Sequence, residues 1–421
     1  MPAPALGLDF GTSNTAAAVL VDGNPRVLAL DPAAADPRLF RSVLFFPEEG
    51  QVASGAAAIA AYLELAEGRF MQSLKSFLPV RSFTSTAVRH RSFTLEALIG
   101  LMLRAVRTSI ERELGEPVTK VVLGRPARFS EEPEHDAFAE RRLRRAAEEA
   151  GFKEIAFRIE PLAAGLSHEA TLEREQLVLT GDFGAGTSDF TVMRLSPQRH
   201  KEPDRARDIL ASAGVYVAGD AVDAAIMEHK LLPSFGARAR HRPMHVGNWV
   251  PMPVHLMRKL LSWHTMSFVR EKSTQTFLDD FLKSTDDPAA VGALIDLVNF
   301  NLGYHLFRAI EAAKVRLSTE QRARIRFRDA RVDIDVELGR GEFEKLIAPL
   351  LAQLDGALDE VLHKAHVRPE QIDAVVLTGG TSLIPAVAQL FERRFGAEKL
   401  RRSDAFSSVA EGLAAAAAAQ G

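Results

Sequence analysis

Two aspartates stand where an apolar run meets glycine: Asp9 in LGLDFGTSNT and Asp182 in LTGDFGAGTSDF. Each sits in Asp-Phe-Gly and is followed by small or hydroxyl residues. A phosphate chain needs backbone N–H groups turned toward it and room for close approach, which glycine provides and larger side chains obstruct. Gly11, Thr12, Ser13 and Asn14 make one such turn, and Gly184, Ala185, Gly186 and Thr187 the other. A nucleoside triphosphate travels with Mg²⁺, a hard ion that keeps several waters and takes carboxylates directly or through water. One acid beside each turn suits it. A lone Asp-Phe-Gly is more often an ordinary strand-to-turn sequence, but two in matching contexts point to opposed clamps on a phosphate chain. No HRD loop, GxxxxGK[ST], HExxH or GxSxG is present to compete.

Two further elements carry polar residues at suggestive spacing. In LTGGTSLIP, Gly379 and Gly380 lie between a strand and a helix start, which fits either a plain turn or a backbone against which a base or ribose packs. On the helix expected over 301–320, Leu306, Ile310, Ala313 and Leu317 form one stripe, while Glu311, Lys314 and Ser318 fall on a separate arc. Spacing alone makes that arc a solvated face.

The elements that must position these residues alternate between strands and helices. ALGLD, AAAVLVDG and RVLAL read as strands with a hairpin turn at Asp22-Gly23. LEALIGLMLRAVRTSIEREL reads as a helix, and TKVVLGRPA, EHDAFAERRLRRAAEEAGF and KEIAFRIE read as strand, helix ended by Gly151, and strand. Strand, helix and strand in that order imply a parallel pair with a crossover. Glu160-Pro161 then opens a short helix. The Asp182 segment repeats the Asp9 segment, so a duplicated unit and a pseudo-symmetric, two-lobed α/β fold with the ligand between the copies are expected. Lobe I is placed at 1–176 with an inserted subdomain at about 40–115. Lobe II is placed at 177–421 with an insertion at about 229–300 and a last helix at about 407–419.

Composition removes several alternatives. With 52 basic and 55 acidic residues in 421, no global field favours a polyanion or an anionic membrane, and nucleic acid is not the expected ligand. There are no cysteines, hence no disulfides, thiolate metal sites or cysteine nucleophiles. No apolar run has the length of a membrane span or a signal peptide, so a cytoplasmic location is expected. Segment 229–300 holds both tryptophans, several histidines at irregular spacings that suit no metal, and a basic excess through Lys272. Its aromatic and basic residues read first as local core and solvated face, and second as a surface for a protein partner.

LGLDFGTSNT, GDFGAGTSDF, IEAAKVRLS and VVLTGGTSLIP, in this order, resemble the nucleotide-binding domain of the seventy-kilodalton heat-shock chaperones, members of the actin, sugar-kinase and chaperone ATPase superfamily. SLKSFLP and FSSVAEGLA make it most similar to the divergent YegD-like branch. The resemblance covers nearly the whole chain and implies an actin-like ATPase fold, two lobes each with a ribonuclease-H-like mixed sheet flanked by helices, plus inserted subdomains. It implies that Asp9 and Asp182 hold hydrated Mg²⁺ and that Thr12, Ser13, Gly184, Ala185, Gly186 and Thr187 contact the phosphates of ATP or ADP. It further implies that Lys75, by itself an ordinary surface charge, orients the attacking water and γ-phosphate. Glu160 and Asp189 become acids that polarise water, and Thr187 joins them in catalysis. Gly219, Glu311, Lys314, Ser318, Gly379 and Gly380 become the adenosine site. Val315 and Leu383 replace two arginines that sandwich adenine in the family, which weakens base specificity. A complete family member continues into a peptide-binding domain and lid, which this sequence is expected to lack.

The function implied is an ATP-binding, slowly hydrolysing, chaperone-like protein, a Mg²⁺-dependent ATPase. A small-molecule kinase of the same fold would need an acceptor pocket with a catalytic acid, for which only Glu160 offers itself. A non-catalytic, nucleotide-stabilised scaffold is the third alternative.

Overall fold

The structure is a computed structural model describing residues 6–65, 67–130, 132–169, 171–199, 205–243, 247–263, 265–402 and 407–418. Ala419, in the expected terminal helix, and His245 and His264 lie outside the described residues. Packing divides the chain into two compact units. One comprises Met1–Tyr216, Asp355–Ser382 and Ala388–Gly421, and the other Val217–Leu354 and Leu383–Val387.

The first unit contains two sheets of the same topology. In the first sheet, β1 (Leu6–Phe10), β2 (Asn14–Val21) and β3 (Asn24–Val27) are antiparallel neighbours, and β4 (Lys120–Arg125) and β5 (Glu154–Ile159) extend β1 in parallel, giving the order β5-β4-β1-β2-β3. A short strand, Phe40–Arg41, also pairs with β2. In the second sheet, β6 (Gln176–Phe183), β7 (Ser188–Leu195) and β8 (Ile209–Val215) are antiparallel. The strands β9 (Ala374–Thr378) and β10 (Leu400–Arg402) extend β6 in parallel, in the order β8-β7-β6-β9-β10. The duplication legible in the two Asp-Phe-Gly segments is therefore a duplication of whole sheets. In both, the aspartate lies near the end of the central strand.

Local chemistry explains the boundaries. The β2–β3 turn has Asp22 at φ 52° and Gly23 at φ 80°, the left-handed pair that a two-residue hairpin demands. The long helix α1 (Leu95–Leu114) starts at Thr94, whose hydroxyl accepts from Ala97 N–H, and stops at Gly115 in left-handed backbone. The crossover helix α2 (Pro133–Ala150) has proline in its first turn and Gly151 past its end at φ 99°. RVLAL pairs as a strand only to Val27. Leu28 N–H still donates to Ala17 O, and Leu28 and Leu30 are buried, so the apolar signal there reports burial beyond the ladder's end. The main core of the unit is built from β1, β2, β4, α1 and α2, with Leu8, Leu98, Leu103, Leu123 and Leu143 fully buried.

Two helices hold the site's strands at close range. The helix α3 (Glu160–Glu169) follows β5 without a break, and α4 (Ser408–Ala418) packs against it. A Cβ on Gly412 would lie 2.0 Å from Ala163 O, and one on Gly7 would lie 2.2 Å from Ala414 N. Only glycine lets these backbones approach so closely.

The second unit contains helices Gly219–Ile226, Lys272–Lys283, Pro288–Asn299 and Gly303–Leu317, and a hairpin of Arg322–Asp329 with Val332–Gly339. Among the described residues no helix is long and apolar enough to cross a membrane.

Candidate functional site

The acids named from sequence converge within the first unit. Asp9 lies on β1 one residue before its end, and Asp182 holds the same place on β6. Asp189 is the cross-strand partner of Asp182, and Glu160 is the first residue of α3. Lys75, in the 3-10 turn Leu74–Phe77, donates from Nζ to Glu160 Oε1 at 2.8 Å, with both side chains about nine-tenths buried. Thr378 Oγ1 donates to Asp182 Oδ1 at 2.9 Å, and Thr187 Oγ1 to Asp189 Oδ2 at 3.3 Å. Four carboxylates thus crowd one ammonium.

Their protonation reflects that imbalance. Loss of water, then repulsion from Glu160 and Asp182, pushes the Asp9 carboxyl up to about 8 against the pull of Lys75. Asp189 rises to about 7 from burial first and then from Asp182 and Glu160. Asp182 is raised by burial and Glu160, although Thr378 and Lys75 oppose this. Burial alone would lower Lys75, but attraction to Glu160 and Asp9 outweighs it and the ammonium is stabilised. The geometry therefore sets several carboxyls that resist ionisation around one stabilised ammonium.

The two turns flank these acids. Gly11, Thr12 and Ser13 join β1 to β2 and Asn14 begins β2, all partly exposed. A Cβ on Gly11 would meet Asn14 O at 2.2 Å, so the tight turn itself requires glycine there. Gly184, Ala185, Gly186 and Thr187 join β6 to β7, closed by Gly184 N–H donating to Thr187 O at 2.9 Å, and a Cβ on Gly186 would meet nothing within 4 Å. A cavity of about 60 Å³ opens beside the acids, lined by Glu160, Asp182, Asp189, Arg128, Ser212 and Gly214 among others.

Gly379, at φ 85°, packs so closely on β6 that a Cβ would sit 2.0 Å from Phe183 O, and Gly380 begins the 3-10 turn that follows. Close packing is sufficient reason for the first of these glycines. In the second unit, Lys314 Nζ lies 2.7 Å from Asp223 Oδ1 and donates to Gly219 O at 3.4 Å. Glu311, one turn earlier, pairs with Arg308. Ser318 caps the same helix, its N–H donating to Val315 O at 3.1 Å. Val315 and Leu383 are 62% and 46% exposed, so neither apolar side chain is used as core.

Sequence reasoning passed over four contributors. Thr378 holds Asp182 in place. Gly214 and Gly124 make room for acids, because a Cβ would stand 2.6 Å from Asp189 Oδ1 in one case and 2.9 Å from Glu160 Cγ in the other. A glycine inside a strand is the signal of such an approach. Asp223, raised to about 6 by burial and by Glu311 and Asp220 against the pull of Lys314, completes the buried ion pair on helix Gly219–Ile226. It stands in VAGDAVD, four residues after Gly219, one helical turn away. Among the described residues no group of three or more histidines, aspartates or glutamates is arranged to hold a metal by itself.

The model of the Hsp70 protein family matches residues 5–236 and 295–420. The chain belongs to the Hsp70 family. Its paired mixed sheets are the actin-like ATPase fold of that family. It is similar to "Chaperone protein DnaK" of Elusimicrobium minutum, 26% identical over 418 residues that cover 97% of this chain and 56% of the relative. It is similar as well to "Chaperone protein DnaK" of Thermus thermophilus, 26% identical over 441 residues covering 98% of this chain and 60% of the relative. This Hsp70-family chain thus spans between half and two thirds of the length of these relatives. The family model leaves 237–294 unmatched, within the segment that sequence reading set apart at 229–300.

Proposed function

We propose that this chain binds ATP or ADP with Mg²⁺ and hydrolyses ATP slowly, as the nucleotide-binding part of a chaperone-like protein of the YegD-like branch. The observation that carries this reading is the group of four carboxylates, Asp9, Glu160, Asp182 and Asp189, crowding one buried ammonium between two glycine turns. Hard oxygen donors repelling one another in a partly dry site suit a dication that keeps most of its waters, with Asp9 and Asp182 as the residues that would hold it. Bound there, Mg²⁺ would balance phosphate charge. Thr12, Ser13, Gly184, Ala185, Gly186 and Thr187 are assigned to the phosphates, with Gly11 and Asn14 shaping the first turn.

Phosphoryl transfer asks a protein mainly for positioning and charge stabilisation. Lys75, fixed by Glu160, is assigned to hold the γ-phosphate and the attacking water. Glu160 and Asp189 are assigned to polarise that water. Thr187 orients Asp189. Gly219, Glu311, Lys314, Ser318, Gly379 and Gly380 are assigned to adenosine, and the exposed apolar Val315 and Leu383 to a weakened grip on the base. Two lobes divided near residue 176 and a protein partner docking on 229–300 belong to the same proposal.

Single-turnover cleavage of radiolabelled ATP by the wild type and Lys75→Ala tests it. Phosphate released by the wild type and largely lost in the variant is expected. No cleavage by the wild type would sink the hydrolase reading, and label transferred to an added sugar would replace it with a kinase.

A further inference from the structure

Lys75 rests on weak local structure. Its 3-10 turn follows Ser73 in left-handed backbone, φ 57°, with no side-chain cap. Tight turns come next, closed by Leu78 N–H to Lys75 O, Val80 N–H to Phe77 O and Phe83 N–H to Val80 O. Short 3-10 pieces have poor hydrogen-bond geometry, and residues 78–84 join no helix or strand. Their carbonyls enter no ladder, although Val80 O takes the turn N–H of Phe83, so a donor from elsewhere can tie the segment down.

One buried guanidinium does this. Arg142, in α2 and 4% exposed, donates from Nη1 to the carbonyls of Val80 at 3.2 Å, Phe77 at 3.4 Å and Leu78 at 3.5 Å, and from Nη2 to Phe83 at 2.9 Å. Its Nε donates to Glu96 Oε1 at 2.7 Å, in the first turn of α1. The Phe138 ring lies 5.2 Å from its centre. A buried ion pair of this kind gains little stability over well-packed apolar side chains. What arginine adds is a planar fork of five donors, wide enough to reach four carbonyls and Glu96 together, where lysine has three donors on one atom.

We infer that Arg142 is a positioning residue for Lys75: it pins segment 77–83 to α1 and α2 and so holds the preceding turn where Lys75 reaches Glu160. The kinetic consequence rests on the assignment of Lys75 to phosphoryl transfer, whereas the placement of Lys75 does not.

The test uses Arg142→Lys, with Glu96→Gln as the milder variant should the first fold poorly, and two measurements on the full chain. Acylation of lysines, read by mass spectrometry, should label Lys75 roughly fivefold faster than in the wild type, as an added opening of about 1 kcal/mol implies. The buried Lys314 should remain protected. Wild-type protection of Lys75 in either folded variant overturns the inference, and so does equal deprotection of Lys314. In single turnovers with ATP, cleavage should fall about tenfold or more at unchanged ATP affinity, and Arg142→Lys should add nothing to Lys75→Ala. An equal fall in the Lys75→Ala background overturns the inference. If the wild type cleaves no ATP, the hydrolase reading fails by itself and acylation alone decides the place of Lys75.

Discussion

Charge is handled in opposite ways by the acid cluster and by the hairpin Arg322–Asp329/Val332–Gly339. On the hairpin, Arg322, Arg324, Arg326 and Arg328 face outward and are answered across the ladder by Glu337, Asp335 and Asp333, with contacts such as Arg322 to Glu337 at 3.1 Å. The alternate residues Ala323, Ile325, Ile334 and Leu338 are buried. Four cations meet three acids in water, and the pairing follows from strand alternation alone. In the cluster, Asp9, Glu160, Asp182 and Asp189 gather about Lys75, away from bulk water, and three of the acids are driven upward as a result. An exposed pair of charges adds little and signifies little. Buried charge left unbalanced is costly, and the proposed dication would offset that cost.

The largest effect in either region is expected at Lys75. Lys75→Met removes the cation paired with Glu160 and should lower stability of the nucleotide-free protein by about 3–5 kcal/mol at pH 8, read by denaturant unfolding. Cleavage of ATP should fall by roughly 100-fold or more. If stability barely changes, the acids are better balanced than the geometry indicates.

Asp189 is expected to act in the opposite sense. Its carboxyl is raised to about 7 in the folded chain, against an ordinary value of 3.8. Between these values the unfolded chain has released the proton that the folded chain keeps, so stability falls as pH rises from about 4 to 7. Asp189→Asn removes that burden. The nucleotide-free variant should gain roughly 1–3 kcal/mol over the wild type at pH 8 and nothing at pH 4, while losing cleavage. A wild-type stability that stays flat from pH 5 to 8 would contradict the uncompensated cluster.

Asp296 offers an intermediate case, a buried acid with its partner in place. It is 6% exposed and accepts from Arg331 N–H at 2.9 Å, Nε at 2.8 Å and Nη2 at 2.6 Å, tying helix Pro288–Asn299 to the hairpin's turn. Those bonds hold its carboxyl below the ordinary value. The stabilisation is present above the unfolded pKa and is lost as pH falls through the lower, folded one. Asp296→Asn should cost about 1–2 kcal/mol at pH 7. That difference should fade below about pH 3, when both chains are compared by urea unfolding.

The contrast also shows what a sequence can display. Asp9, Asp182, Gly11 and Gly184 were legible because strand, acid and glycine are contiguous, and the repeat of that pattern anticipated two sheets of one topology. The helix end at Gly151 was legible for the same local reason. Lys75 and Glu160 are separated by 85 positions and meet only in the fold; resemblance, not spacing, singled them out. Thr378 and Arg142 act through neighbours that tertiary packing brings, so no local pattern marks them. The arc of Glu311 and Lys314 read from periodicity as solvated, yet Lys314 is buried against Asp223. Periodicity reports which face is apolar and is silent about charges that find partners across an interior.

The smallest effect is expected on the hairpin's outer face. Arg324 contacts Asp335, and both are open to water, so removing the arginine exchanges one solvated arrangement for another. Arg326, 3.5 Å from the same carboxylate, remains to answer it. Arg324→Gln should leave the unfolding midpoint indistinguishable from the wild type in moderate salt, and any residual difference should vanish in 1 M NaCl, where the screening length is about 3 Å. Ile325→Ala, one residue along on the buried face, should cost about 2–5 kcal/mol, because there the ladder's stability lies. A salt-insensitive loss at Arg324 comparable to that at Ile325 would mean that the charged face is packed against something, and the contrast between a solvated ladder and a buried cluster would fail at its exposed end.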